Sequence, residues 1–325
     1  MKKIFYIFAL SLLLFSCRKV DRNSNYDDIN FKEEMRQFVI GISQYAKNIK
    51  PGFDIIVQNG VELVTQNGEE NSVLHQAYLN AIDGQGQEEL NFGYDTDDMP
   101  TPSNIHQHLK HFLDLEKSAG KKIFVTDYCS TPANIAESYQ LNAQYGYTGY
   151  AAISRELDVI PAYIQNENNA DIIALDSVQN FLYLINPANY SNKQDLINTL
   201  SATDFDMIIM DWALNRIPFT ATELNQIKHK HNGGERKLIA YVSIGEAENY
   251  RYYWKNEWNV NKPFWIEAEN PDWPGNYIVK YWEKQWQDII YGNNQSYIKK
   301  VMDAGFDGVY LDIIDAYDFF EERYD

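Results

Sequence analysis

Eight short apolar runs, nearly all separated by helical segments, constrain the fold more than any other feature of this chain. They are Asp54–Val57, Ala81–Asp83, Lys122–Thr126, Thr148–Ile153, Phe181–Ile185, Met207–Met210, Leu238–Val242 and Gly308–Leu311. Each releases polar residues at its C-terminal end. Apolar runs this short, bounded by glycine and polar residues, fit parallel strands covered on both faces. An eightfold strand–helix alternation in 325 residues predicts an α/β fold, a (β/α)8 barrel with its chemistry at the C-terminal rim. The alternative is an open doubly wound sheet, which carries a glycine-rich phosphate loop after an early strand. Here Gly84-x-Gly86 is followed by Glu88, which would repel a phosphate, so no cofactor is called for.

The intervening segments carry helix signals. In Phe31–Ile49, the residues Met35, Phe38, Val39, Ile42, Tyr45, Ala46 and Ile49 fall at helical spacing, and Pro51-Gly52 ends the run. Further helices are expected near Glu62–Asn80, over Thr101–Ala119 with Gly120 as C-cap, and over Pro132–Tyr145 up to Gly146. Others are expected over Lys193–Leu200, after the capping box Thr220-Ala221-Thr222-Glu223, and around Ile278–Asp303. Pro161–Ser177 is the least regular stretch and reads as a linker.

The N-terminus reads as targeting rather than fold. Lys2 and Lys3 precede an apolar run, Ile4–Phe15, too short to span a bilayer. It closes on Ser16-Cys17, which resembles a bacterial lipobox. The resulting domain division is a leader over 1–17 ending in a lipidated Cys17, a polar tether over 18–30 and one barrel over 31–325. The expected location is the bacterial cell envelope, periplasmic or on the outer-membrane surface, with the membrane reached only through the lipid anchor. A net charge of −18 argues against nucleic acid or an anionic membrane surface as partner.

The strand ends offer Gln58, Asn59, Glu88, Asp127, Tyr128, Asp211, Ser243, Glu246, Asp312 and Asp315. Asp312 follows the run Gly308–Leu311 and is taken as the chemical centre. Carboxylates converging on one rim suit glycosidic hydrolysis, which needs one acid for the leaving oxygen and one carboxylate as nucleophile or base. Structural ion pairs also cluster at rims. No metal is expected, because His106 and His108 point to different helix faces and, like His229 and His231, read as solvated surface. No strand end supplies a histidine for Cys129, so it reads as packing. The insertion Tyr250–Trp273 interleaves aromatic rings with Asn, Glu and Lys. Half of those rings are expected to fold over one another, and the rest, Trp273 among them, to stack on sugars.

Three segments carry a resemblance: Tyr241-Val242-Ser243-Ile244-Gly245-Glu246-Ala247-Glu248, the insertion with Trp273-Pro274-Gly275, and Gly305-Phe306-Asp307-Gly308-Val309-Tyr310-Leu311-Asp312. They resemble the endo-α-1,4-polygalactosaminidase family, glycoside hydrolase family 114, in its bacterial branch once labelled cysteinyl-tRNA-synthetase-like. That family is a (β/α)8 barrel whose catalytic pair is an aspartate ending the fourth strand and a glutamate ending a later one. The segments resembling its fifth, sixth and seventh strands come first here, around Asn59-Gly60-x-Glu62-Leu63, Ile82–Leu90 and Lys122–Tyr128. The resemblance therefore implies a circular permutation. Residues 31–160 would supply family strands five to eight, 161–177 the linker and 178–325 strands one to four.

It also implies that Ile55–Val57 lies beside Gly308–Leu311, and Thr148–Ile153 beside Phe181–Ile185. Asp312 matches the nucleophile and Glu88 the general acid/base, with Glu89 as the competing acid. Asp211, Glu246, Asp127, Tyr128, Asn59 and Trp273 match substrate-holding positions. The implied reaction is retaining endo-cleavage of an α-1,4-linked galactosamine polysaccharide, a cationic amino-sugar polymer that an acidic protein suits. A glycan-binding lipoprotein without catalysis and a glycosidase for another sugar are the alternatives.

Overall fold

The computed structural model describes residue 26, residues 28–187 and residues 189–324. The leader, Cys17 and most of the tether lie outside the described residues. The end of the expected tether is docked on the barrel. Tyr26 packs edge-on against Trp282 at 5.9 Å between centroids, and the Asn30 side chain accepts from the Glu33 N–H at 2.9 Å.

Eight parallel strands form the central sheet: β1 Asp54–Gln58, β2 Gly84–Glu88, β3 Lys122–Tyr128, β4 Thr148–Ala152, β5 Phe181–Leu184, β6 Met207–Met210, β7 Lys237–Ser243 and β8 Gly308–Asp312. Their order is β4-β3-β2-β1-β8-β7-β6-β5, a nearly closed (β/α)8 barrel. Strands β1 and β8 pair with Asp54 opposite Gly308 and Val57 opposite Leu311, the pairing of first and last strands that any (β/α)8 barrel makes. Strands β4 and β5 lie side by side at the seam. Among the described residues no backbone ladder joins them. The seam is filled instead by the Tyr150 and Phe181 rings, 5.4 Å apart, and by the Thr148 hydroxyl donating to the Val178 carbonyl at 3.4 Å.

The helices are α1 Phe31–Ile49, α2 Gln76–Ala81, α3 Ser103–Ser118, α4 Pro132–Tyr145, α5 Lys193–Ser201, α6 Ala221–Lys228, α7 Lys284–Ile290, α8 Tyr297–Ala304 and α9 Tyr317–Tyr324. Helix α1 buries Met35, Phe38, Val39, Ile42 and Ala46, the stripe its spacing predicted. Truncating Phe38, which is fully buried, would cost about 3–5 kcal/mol. Arg36 on the same face is buried because its guanidinium donates to the Leu63 and Thr65 carbonyls at 2.8 and 2.6 Å. Thr220 and Glu223 form the expected capping box.

Three expectations are corrected. The helix near Glu62–Asn80 is only a 3-10 turn, Val61–Val64, and the short α2. The Ala81–Asp83 run is not a strand; β2 begins at Gly84. A Cβ on Gly86 would lie 1.9 Å from the Tyr310 hydroxyl, so β2 uses glycine where the β8 tyrosine crosses it. The helix expected over Ile278–Asp303 is divided. Asn276–Val279 is a strand that pairs antiparallel with Glu246–Glu248 and Ile266–Glu269, and α7 and α8 are separated around Gly292 at φ 94°.

Candidate active site

Three adjacent strands, β2, β1 and β8, build the centre of the rim, and each ends in the same way. The residue after the strand adopts a left-handed backbone: Glu89 at φ 61°, Asn59 at φ 58° and Ile313 at φ 59°. Such a residue turns the chain sharply and leaves the preceding side chain at the barrel mouth. Asparagine tolerates this conformation, but a β-branched isoleucine is strained in it, and strain of this kind clusters at functional sites. The turn after β7 packs beneath Ile313. A Cβ on Gly245 would come within 2.0 Å of the Ile313 carbonyl, so only glycine lets the two loops meet.

Asp312 ends β8 and is 7% exposed. Its Oδ2 accepts the Tyr241 hydroxyl at 2.5 Å and its Oδ1 accepts the Ile313 N–H at 2.8 Å. Burial pushes its carboxyl up to about 6, against the pull of these two hydrogen bonds, with Glu246 and Glu248 adding repulsion. Glu88 ends β2, two strands away across β1, so the two backbones stand roughly 10 Å apart, with Gln58 and Asn59 at the end of the strand between them. Burial first, and the charge of Asp312 second, raise Glu88 to about 7, while hydrogen bonds from Tyr128, Asn59 and Gln58 oppose the rise. The Tyr128 hydroxyl donates to Glu88 Oε1, and the Glu88 N–H donates to Asn59 Oδ1 at 3.1 Å. A cleft of about 260 Å³ opens beside Glu88, lined by Asn59, Glu62, Glu89, Tyr94, Asp315 and Asp318 among others. Below the carboxylates lies a buried layer in which Tyr183 donates to Gln58 at 2.8 Å and stacks edge-on with Tyr310 at 5.2 Å.

The remaining expected site residues divide. Tyr128 is buried and serves Glu88, and Asn59 lines the cleft. Asp211 ends β6 in a second cleft of about 420 Å³, with Trp212, Arg216, Tyr250, Arg251 and Tyr252. It is paired with Arg251, which also donates to Glu248. Glu246 is buried and accepts from the Asn270 side chain at 2.7 Å. Trp273 is half exposed on the insertion.

Asp127 must be corrected. It is fully buried and accepts from the Asn91 and Phe92 N–H groups and the Ser138, Asn91 and Asn142 side chains. Strand side chains alternate, so with Tyr128 facing Glu88, Asp127 faces α4 and anchors the loop after β2. It is a structural acceptor, not a substrate ligand.

Arg251 and Arg155 were missed. Glu248-x-x-Arg251 has ion-pair spacing that could have drawn attention, whereas nothing local marks Arg155. Of the insertion's rings, Tyr250, Tyr252, Phe264 and Trp273 are exposed, while Tyr253, Trp258 and Trp265 are buried. Cys129 is buried, and its thiol is pushed up to about 12, which removes it as a nucleophile. His108 is tied to Glu62 and Glu70 at 2.9 and 3.1 Å.

Residues 198–324 match the model of Glycoside-hydrolase family GH114. This stretch is similar to that family. It is similar to an uncharacterized protein of Thermotoga maritima, 38% identical over 124 residues, covering 38% of this chain and 37% of that one. An uncharacterized protein of Methanocaldococcus jannaschii is 40% identical over 127 residues, covering 39% and 35%. One of Deinococcus radiodurans is 38% identical over 131 residues, covering 40% of each. The chain thus spans two-fifths or less of the length of these relatives. Asp211, Glu246, Trp273 and Asp312 lie inside the GH114 segment; Asn59, Glu88 and Tyr128 lie outside it.

Proposed function

We propose that the protein is a retaining glycoside hydrolase in which Asp312 is the nucleophile and Glu88 the general acid and base. One observation carries this reading: the carboxyls of Asp312 and Glu88 end β8 and β2 on either side of β1, each held by a tyrosine hydroxyl, from Tyr241 and Tyr128, and each raised by burial into the range where one can donate and the other ionise. An acid that stays protonated beside a carboxylate that ionises first is the division of labour glycosidic cleavage needs. Glu88 gives its proton to the leaving oxygen while Asp312 Oδ attacks the anomeric carbon. The deprotonated Glu88 then takes a proton from the water that releases the sugar from Asp312. Glu88 rather than Glu89 fits the acid, because Glu89 is engaged by Arg155. Retention requires the carboxyl oxygens about 5–5.5 Å apart during catalysis, against roughly 6.5–9.5 Å for inversion.

The substrate we propose is an α-1,4-linked galactosamine-containing polysaccharide, cut internally, with Asp211, Glu246, Asn59 and Trp273 holding flanking sugars. The acidic cleft beside Glu88 suits a cationic polymer. The enzyme would act in the bacterial cell envelope, anchored through Cys17. We take the strand order to be circularly permuted relative to the family; a colinear comparison would then align only one half, and the match over 198–324 is consistent with that. Incubation with galactosaminogalactan, deacetylated or not, followed by analysis of released oligosaccharides and their anomers, tests the proposal. Binding without turnover would favour the non-catalytic glycan-binding alternative.

A further inference from the structure

Arg155, in the loop after β4, reaches back across the rim to the loop after β2. Its guanidinium pairs with Glu89, with Asp97 at 2.6 Å, and donates to the Gly93 carbonyl at 2.7 Å. The same plane lies 4.1 Å from the centroid of the Tyr128 ring, a stacked cation–aromatic contact. One side chain therefore touches both neighbours of Glu88: the adjacent carboxylate in sequence, and the tyrosine whose hydroxyl donates to it. Backbone geometry fixes the arrangement. Glu89 sits in its left-handed turn with its N–H on the Thr126 carbonyl at 2.8 Å, and its own carbonyl accepts the Thr101 hydroxyl at 2.6 Å. A Cβ on Gly93 would press on Tyr128 at 2.9 Å and on the Arg155 guanidinium at 3.3 Å, so this loop is packed flat against the pair.

We propose that Arg155 is a positioning residue that makes Glu88 the single proton donor of the Glu88–Glu89 pair, by holding Glu89 as an ion pair and fixing the Tyr128 ring that serves Glu88. The inference rests on the role assigned to Glu88 above. The groups that face Glu88 are Tyr128 from β3, Tyr310 and Asp312 from β8, Tyr183 from β5, Asp315 from the turn after β8, and Glu89 on its own loop. Arg155 is the cation bound to that loop, so its loss leaves Glu89 and Asp97 uncompensated there. With Arg155 absent, Glu89 is an unpaired carboxylate against Glu88, and two such groups hold a shared proton more tightly than either alone. Lysine would supply the charge but not the fork that grips Glu89 and Asp97 together.

The test is a carboxyl titration by difference infrared spectroscopy, with Glu88→Gln identifying the Glu88 band, so that it needs no substrate. Arg155→Met should raise the Glu88 midpoint by about one pH unit. Glu89→Gln, which frees the Arg155 charge, should lower it. The double variant Arg155→Met/Glu89→Gln should return it close to the wild-type value, and Arg155→Lys should fall between wild type and Arg155→Met. A midpoint in Arg155→Met that overlays wild type, or a shift that survives unchanged in the double variant, overturns the proposal. If Arg155→Met fails to fold, Glu89→Gln decides alone, and an unmoved midpoint there overturns it equally. In turnover assays the descending limb of the kcat/KM profile should follow the same order. A limb that stays fixed while the infrared midpoint moves rejects Glu88 as the acid and leaves the Arg155 role standing.

Discussion

Replacing Asp312 with asparagine should stabilise the protein, and only above a definable pH. In the folded state the carboxyl is held at about 6, against an ordinary aspartate value of 3.8. The folded state therefore binds this proton more tightly than the unfolded chain, and ionisation costs stability. That penalty is absent below the unfolded value, accumulates as pH rises from about 4 to 6, and is complete above. Two units of difference correspond to about 3 kcal/mol. Asparagine carries no charge to bury, but it keeps one acceptor where the carboxylate has two. Either the Tyr241 or the Ile313 hydrogen bond is lost, at a pH-independent cost of about 1 kcal/mol. The stability difference between variant and wild type should thus swing by about 3 kcal/mol between pH 4 and pH 8 whatever the fixed cost, and so should move the Tm difference by about 5 °C for a chain of this size. Thermal melts of both proteins by tryptophan fluorescence at the two pH values measure it. A Tm difference that is the same at both pH values, or that turns against the variant at high pH, would refute the claim that burial dominates at Asp312.

Four further outcomes are expected. The kcat/KM profile should be a bell that rises through about 6 as Asp312 ionises and falls through about 7 as Glu88 loses its proton, read from initial rates between pH 4 and 9. Glu88→Gln should abolish most turnover on substrates with poor leaving groups, whereas Glu89→Gln should keep turnover with a displaced descending limb; the reverse result would transfer the acid role. Tyr241→Phe removes a donor to the Asp312 carboxylate, so the ascending limb should move to higher pH and turnover should fall about tenfold or more. Glu116 on α3 is fully buried with neither carboxyl oxygen hydrogen-bonded, and burial pushes it well up, so Glu116→Met should raise stability by about 1 kcal/mol or more at pH 8 by denaturant titration, without changing turnover.

The strands and helices legible in the sequence were those whose apolar spacing and stop signals agreed. Helix α1 has the bounds that its stripe and Pro51-Gly52 announced, and α4 stops where Gly146 announced. Strand β2 was not legible, because Gly-Gln-Gly-Gln-Glu has neither alternation nor β-branched residues; it is a strand because β1 and β3 flank it and Tyr310 claims the space above Gly86. Asn276–Val279 looked like the start of a helix and is a strand only through its two antiparallel partners. Within the site, Asp312 could be placed from the end of its strand, whereas Glu88 was named among the rim residues without its strand, and its role came only from the resemblance. The misplacement of Asp127 came from ending β3 at Thr126; with the strand carried on to Tyr128, the alternation of side chains turns Asp127 outward. Arg155 was invisible because all its partners, Glu89, Gly93, Asp97 and Tyr128, lie on loops that only the closed barrel brings together.

The seam between β4 and β5 has a mechanical meaning. Going round the ring, it lies on the far side from β1, the strand between the two that carry Glu88 and Asp312. A barrel held by backbone ladders everywhere else should breathe at this one join, its halves parting like a cuff hinged along β1. At the hinge such opening moves the least. Amide protons of β4 and β5 should therefore exchange with solvent well before those of β1, β2 and β8, and the molecule can loosen without parting its two acids.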